Sequence, residues 1–224
     1  MHKAAGADSA AGLVGEVFAC SPDIARQIVA QASFNEHKAN TTLIHQGDEA
    51  RHVFMMIAGL ARAFLSSEQG MLVFIEEYGR GDIFGDLQLT QRTAQESEVV
   101  AATPVGLVQF DGRVLAGFAE RHGSIGLALA RILFARLQRS TLRIFERTAL
   151  SAAGRVYSEL LRLGEASDNI LSPPPVVSDL ALRVGTTRET ASRCLGMLIR
   201  RGIVERGETE LRIVAPGRLE ELVF

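Results

Sequence analysis

"SDLALRVGTTRETASRCLGMLIRRGIVERGETELRIV", Ser178 to Val214, is the stretch on which the fold turns. Ser178 is placed to cap a short helix over Asp179–Val184, and Gly185 breaks it. A second helix starts at Thr186 or Thr187 and runs to about Arg201. Ala191, Leu195, Leu198 and Ile199 share its apolar face. After Gly202 the sequence predicts a strand over 203–206, a tight turn at Gly207 and a strand over 210–214. Two helices joined through a glycine turn and followed by a hairpin make a winged helix-turn-helix.

The polar face of the second helix carries Arg188, Glu189, Ser192, Arg193, Arg200 and Arg201. From Thr187 to Arg201 there are four arginines against one glutamate, a local charge of +3 in a chain whose formal charge is −2. Arginine bonds guanine O6 and N7 together, and glutamate accepts from cytosine N4. The first two turns of such a helix are the part that enters the major groove. Thr186-x-x-Glu189 also has the spacing of a capping box, in which Glu189 only holds the helix start.

Working outward, "EASDNILSPPP" is a turn-rich connector, preceded by a helix over Ser151–Leu163 that Ser151 caps and Gly164 stops. Before it, "SIGLALARILFARLQRSTLRIFERT" is free of Gly and Pro beyond Gly126. Leu127, Ala130, Phe134, Leu137, Thr141, Ile144 and Thr148 recur at alternating steps of three and four, the seam of a helix that pairs with another helix. Arg131, Arg136, Arg139, Arg143 and Arg147 lie off the seam and read as a solvated basic flank. From Thr41 to Phe110 short apolar runs alternate with glycines at 47, 59, 70, 79, 81, 85 and 106, the texture of a β-barrel or sandwich. "PDIARQIVAQAS", residues 22–33, predicts a short helix with Pro22 in its first turn. The small-residue stretch 1–21 reads as a loose arm without the apolar core of a signal peptide.

Composition narrows the function classes. The chain has 224 residues, 47% apolar and 22% charged, enough for two modest domains. Cys20 and Cys194 are its two cysteines, too few for an Fe–S cluster, a structural zinc or a disulfide framework. His37, His45, His52 and His122 are scattered, which argues against a haem sensor. No apolar run reaches the ~18 residues of a membrane span, so the cytoplasm is the expected compartment. Cys194, next to Arg193, is either a small packing residue or an oxidisable one.

Together these segments resemble the CRP/FNR family of bacterial transcription regulators, over about residues 22–214. "GTTRETASRCLGML" is similar to the family's recognition helix, "GDEARHVFMMIAGLARA" and "GRGDIFGDL" to its β-roll turns and phosphate-binding cassette, and "LARILFARLQRSTLRIFERT" to its dimerisation helix. The resemblance implies an α+β fold: an N-terminal double-stranded β-helix, jelly-roll-like, of the cyclic-nucleotide-binding kind, then a long dimerisation helix and a C-terminal winged helix-turn-helix. The corresponding limits are 1–21 for the arm, 22–123 for the β-roll, 124–148 for the helix and 149–224 for the DNA-binding part. Carried over, Arg188, Glu189 and Arg193 are the base readers of a TGTGA-type half-site. Thr187 and Ser192, at the start and on the face of the same helix, complete the DNA-contacting set. The implied partners are double-stranded DNA, a second copy of the chain and RNA polymerase, with no membrane.

The cassette departs from the family pattern. Cyclic-AMP-binding members open it with Gly-Glu-Leu, use the Glu on the ribose 2′-hydroxyl, and neutralise the phosphate with an Arg about ten residues on. Here Gly85-Asp86-Leu87 opens it, and the arginine place falls on Gln95 or Glu96. Arg80 and Arg92 are cations elsewhere in the motif. Ser140 and Thr141 match the pair that meets the adenine from the long helix. Gly85, Asp86, Leu87, Arg92, Ser140 and Thr141 are therefore the candidate ligand residues. The acidic rim predicts a ligand other than cyclic AMP, or none. The competing reading is a cyclic-nucleotide-binding-like module that controls a partner protein. Without a nucleophile elbow, a metal-ligand cluster or a P-loop, no enzyme is expected.

Overall fold

A computed structural model describes residues 2–67, 70, 72–86 and 94–223, with side chains of the first helix from Asp8 onward. The chain divides into two compact units, Met1–Arg136 and Leu137–Phe224.

The first unit is built on strands β1 (Ser33–His37), β2 (Thr42–Ile44), β3 (His52–Ala58), β4 (Ala61–Ser66), β5 (Leu72–Tyr78), β6 (Ile83–Gly85), β7 (Glu98–Ala101) and β8 (Val105–Asp111). They pair antiparallel in two four-stranded sheets, ordered β1-β8-β3-β6 and β2-β7-β4-β5, the two-sheet roll expected from the sequence. Successive side chains on a strand point to opposite faces. In β3 and β8 both faces are buried, which explains their near-continuous apolar runs. Met56 and Leu107 join Ile44, Tyr78, Phe84 and Val99 in one apolar cluster, while Val53, Met55, Val108 and Phe110 join a second that includes the helices.

Those helices are α1 (His2–Val17), α2 (Pro22–Val29), α3 (Gly112–Arg121) and the start of α4 (Gly123–Ala149). α1 overturns the loose arm expected over 1–21. Ala10, Leu13, Val14 and Phe18 are buried against the second cluster. Their steps of three, four and eight trace one helical face, masked in the sequence by the alanines and glycines between them. α2 starts as expected, with the Ser21 hydroxyl accepting from Ile24 N at 3.4 Å. It stops at Val29 rather than 33 because Ser33–His37 is taken into the sheet beside Val105–Gln109.

The second unit contains the rest of α4, then α5 (Ala152–Glu165), β9 (Ile170–Leu171), α6 (Val177–Val184), α7 (Arg188–Arg200), β10 (Val204–Arg206), β11 (Leu211–Ile213) and α8 (Pro216–Glu220). Its core joins Val156, Tyr157 and Leu160 of α5 to Leu180 and Val184 of α6, Ala191, Leu195 and Leu198 of α7, and Ile203, Leu211 and Ile213 of the hairpin. Ser151 caps α5, accepting from Gly154 N at 3.0 Å. Gly164 does not stop α5. It is buried inside the helix, where a Cβ would sit 2.6 Å from Ile213 Cδ1, so the position serves close packing. Nor does Ser178 cap α6, which starts at Val177 from an extended Val176 held just after the three prolines.

Glu159 of α5 is a buried carboxylate in this core. Arg162 holds one of its oxygens, and Arg183 Nη1 lies 3.7 Å from the other. Burial nonetheless raises its pKa, against the lowering pull of Arg162, Arg183 and Arg143. A folded value above the unfolded one means that Glu159 stabilises the fold below the ordinary Glu range, about pH 4.3, and that this contribution is lost as pH rises through the folded value. Glu159→Gln stays neutral throughout. Its melting temperature relative to the parent is therefore expected to climb as pH rises above about 4.3 and to level off once pH has passed the folded value, read by thermal melts in matched buffers. A relative melting temperature that falls over that range would mean the three arginines outweigh the burial.

Candidate nucleic-acid interface and effector cradle

Gly185, with φ 63° and ψ 52°, ends α6 in the left-handed region, and the amides of Gly185 and Thr186 return to Leu182 O and Ala181 O. Glycine closes a helix this way at low steric cost. The chain then turns into α7, the second helix of the pair. Thr187, not Thr186, is its cap: the Thr187 hydroxyl accepts from Thr190 N at 3.2 Å. This removes the expected Thr186–Glu189 capping box. Glu189 is fully exposed in the first turn, and its carboxyl is held below the usual range, first by its own backbone N–H and then by the Thr187 hydroxyl. The side chain is thus kept as an anionic acceptor near neutral pH.

Arg188, Glu189, Ser192 and Arg193 are all exposed, at steps that put them on one face of α7. The opposite face buries Ala191, Cys194, Leu195 and Leu198. Ile199, expected on the buried face, is exposed instead, and Cys194 takes its place. β10 and β11 form the hairpin after α7, with Val204 opposite Ile213 and the Gly207 amide bonded to Glu210 O at 2.9 Å. β9 adds a third strand through Leu171 opposite Leu211, too short to leave a pattern in the sequence.

On α4 the predicted seam is exposed in the single chain: Phe134 by 60%, Leu137 by 62% and Ile144 by 66%. Ser140 and Thr141 are also exposed. Thr141 and Thr148 donate their hydroxyls to Leu137 O at 2.9 Å and Ile144 O at 2.8 Å, so their polar groups are satisfied within the helix. The other face, with Ile125, Ala128 and Leu129, is buried in the first unit.

The cradle is a cavity of about 210 Å³, lined by Tyr78, Phe84, Gly85, Asp86, Gln95, Glu96, Ser97 and Arg136 among others. Gly85 has φ 95°, and a Cβ there would lie 2.2 Å from the His52 carbonyl oxygen, so only glycine fits. Phe54, Phe84 and Tyr78 stack in sequence, with ring centroids 5.2 and 4.9 Å apart. Arg136 closes the stack. Its guanidinium carbon lies 5.3 Å from the Tyr78 centroid, and its Nε 2.9 Å from Glu76 Oε2. Leu87 and Arg92 lie outside the described residues. Arg80 is exposed and donates to Ile57 O at 3.3 Å.

Residues 34–122 match the cyclic nucleotide-binding domain, and residues 154–222 match the Crp-like helix-turn-helix domain. The chain belongs to the CRP/FNR family. This CRP/FNR transcription regulator is 24% identical over 170 residues to the cAMP-activated global transcriptional regulator CRP of Salmonella typhimurium, spanning 73% of this chain and 81% of that one. It is 26% identical over 184 residues to the cyclic AMP receptor protein of Thermus thermophilus, spanning 81% and 84%. In fold it is similar to FixK2 from Bradyrhizobium japonicum, with a TM-score of 0.75 at 19% identity over 85% of this chain and 96% of that one. The c-di-GMP responsive global regulator CLP of Xanthomonas campestris gives a TM-score of 0.69 at 21% identity over 82% and 94%.

A cyclic nucleotide is the ligand the CRP/FNR β-roll implies, and the described residues do not fit its phosphate. The Asp86 amide, the first of the cassette, is spent on His52 O at 3.0 Å. Asp86 and Glu96 bring carboxylates to the lining. Among the described lining residues Arg136 is the cation; its Nε lies 2.9 Å from Glu76 Oε2 as an ion pair, although that buried Nε makes no hydrogen bond among the described residues. A phosphate placed there would meet like charge in a partly buried site. In sequence Arg136 reads as part of a solvated basic flank. The missed signal is its register: Ile125, Leu129, Ile132 and Arg136 follow one another at steps of three and four, on the face opposite the seam.

Cys194 of the regulator is on the buried face of α7, as the packing reading expects. Its neighbour Tyr157 has its hydroxyl pKa pushed up to about 12, first by burial and then by Cys194, to which it is hydrogen-bonded. Among the described residues no group of three or more His, Cys, Asp or Glu is placed to hold a metal ion, and no helix is long and apolar enough to cross a membrane.

Proposed function

We propose that this CRP/FNR regulator acts as a homodimer that reads a TGTGA-like palindrome through α7, with Arg188, Glu189 and Arg193 on base edges and Thr187 and Ser192 beside them. The observation that carries this reading is the exposed set Arg188, Glu189, Ser192 and Arg193 on the helix launched from a glycine turn. Such a helix lies in the major groove with its N-terminal residues toward the bases. The exposed apolar seam Phe134–Leu137–Ile144 supports pairing of two α4 helices, which would set the two reading helices one DNA turn apart, ~34 Å. Double-stranded DNA, a second copy and RNA polymerase are its partners, in the cytoplasm.

The acidic cradle supports control by something other than cyclic AMP, or a dimer competent for DNA without an effector. The test is binding of purified protein to a TGTGA-N6-TCACA duplex without nucleotide, then with cyclic AMP and with cyclic GMP. The expected result is one affinity in all three arms. Binding that requires either nucleotide would overturn this reading of the cradle and assign its missing cation to residues outside the described ones, Arg92 first.

A further inference from the structure

Arg155, in the first turn of α5, connects two helix ends with one guanidinium. Its Nη1 donates to Leu150 O at 3.1 Å, its Nε to Val184 O at 2.9 Å and its Nη2 to Gly185 O at 3.3 Å. Leu150 directly follows α4. Val184 and Gly185 are the end of α6 and the left-handed turn that launches α7. The last carbonyls of a helix lack intrahelical donors and carry partial negative charge, so a cation shared between two such ends satisfies both.

A second link runs parallel to the first. Glu146 of α4 accepts from Arg162 Nη2 at 2.6 Å and from the Ser158 hydroxyl at 2.8 Å. Arg162 also holds Glu159, and Glu159 pairs with Arg183 of α6. The compact division of the chain agrees with both links: Leu137–Ala149 of α4 falls in one unit with α5, α6 and α7.

We propose that Arg155 is a positioning residue for DNA reading. It locks the non-helical joint at Leu150–Ser151 to the helix-turn-helix turn, so that α7 keeps one orientation to the second half of α4. Glu146, Arg162, Glu159 and Arg183 brace the same joint one to two turns further along the same face of α5. In a dimer paired along α4, this lock sets how far apart the two recognition helices are held. The inference rests on the homodimeric reading proposed above.

A lock of this kind predicts a loss that simple destabilisation does not produce. Arg155→Gln leaves the face of α7 intact, so binding to a single half-site should be unchanged. Discrimination between half-site spacings should be lost. The experiment measures full-chain parent, Arg155→Gln and Arg155→Lys on one half-site and on palindromes with the spacer shortened or lengthened by one and two base pairs. Thermal melts establish that each variant is folded. The parent should prefer one spacer sharply, Arg155→Gln should bind all spacers alike, and Arg155→Lys, which keeps the charge without the fork, should fall between. A folded Arg155→Gln that keeps the parent's spacer preference overturns the proposal. If Arg155→Gln does not fold, the same reading on Arg155→Lys decides it. A parent that binds the palindrome no better than one half-site overturns the homodimer reading, and this inference with it.

Discussion

Leu137→Glu is expected to leave each chain folded, to convert the dimer to monomer and to cut affinity for the palindrome by about two to four orders of magnitude. That range is the usual gain from tethering two binding modules. Leu137 is 62% exposed in the single chain, so its replacement opens no hole in the first unit or the second. It stands mid-seam, three residues from Phe134 and seven from Ile144, both of which expose more than half their surface. A paired helix places the two copies of such a residue close together across the two-fold axis. Two carboxylates would then face each other where two isobutyl groups had excluded water, and like charges in a desolvated seam are costly. Affinity for an isolated half-site should be unchanged. Sedimentation equilibrium reads the first effect and a band shift on one and two half-sites reads the second. A variant that stays dimeric would place the dimer contact elsewhere than on this face of α4.

Arg188→Ala should be the more selective lesion. One bidentate arginine–guanine pair is worth about 1–3 kcal/mol of discrimination, and a dimer makes the contact twice, so about 2–6 kcal/mol should be lost on the full palindrome. The loss should concentrate at one base of each half-site, with preference relaxed there and kept at the others. Arg193→Ala should do the same at a second base. Arg201→Ala, at the C-terminal end of α7, serves as the contrast: it should weaken all sequences alike and reduce the salt slope on the palindrome by about two, one for each half-site. Titrations over a set of single-base variants of the duplex separate these outcomes. If Arg188→Ala weakens every duplex equally, Arg188 contacts phosphate and the base assignment falls.

The helix-turn-helix was legible because its punctuation is local. Gly185 must be left-handed, a threonine must cap the next helix, and the apolar residues of α7 repeat at helical spacing. Even so, two adjacent threonines left the cap one residue ambiguous, and the turn itself settles it: the Thr186 amide closes α6 on Ala181 O, and the Thr187 hydroxyl caps Thr190 N. The seam of α4 was legible for the same reason, since heptads show in any window. What escaped depended on partners distant in sequence. α1 is half small residues, and only α2 and the sheet behind it give Leu13 and Val14 a reason to be helical. Gly164 reads as a helix stop until Ile213 is seen to press against it. Arg136 and Arg143 look alike as sequence. Docking of α4 on the roll brings Arg136 into the cradle, against Glu76 and Tyr78. The departure of the cassette from its family pattern, by contrast, was plain from Asp86, Gln95 and Glu96 alone, because the sign of a charge needs no coordinates.

An equilibrium titration of the purified protein decides whether this chain reads DNA sequence through α7. The TGTGA-N6-TCACA duplex is compared with a scrambled duplex of equal length and composition, at several salt concentrations and without nucleotide. Binding to the palindrome should be at least about a thousandfold tighter than to the scramble, with affinity on both falling steeply as salt is raised. Equal affinity for the two duplexes at every salt concentration would contradict it and leave α7 a basic surface without a reading function.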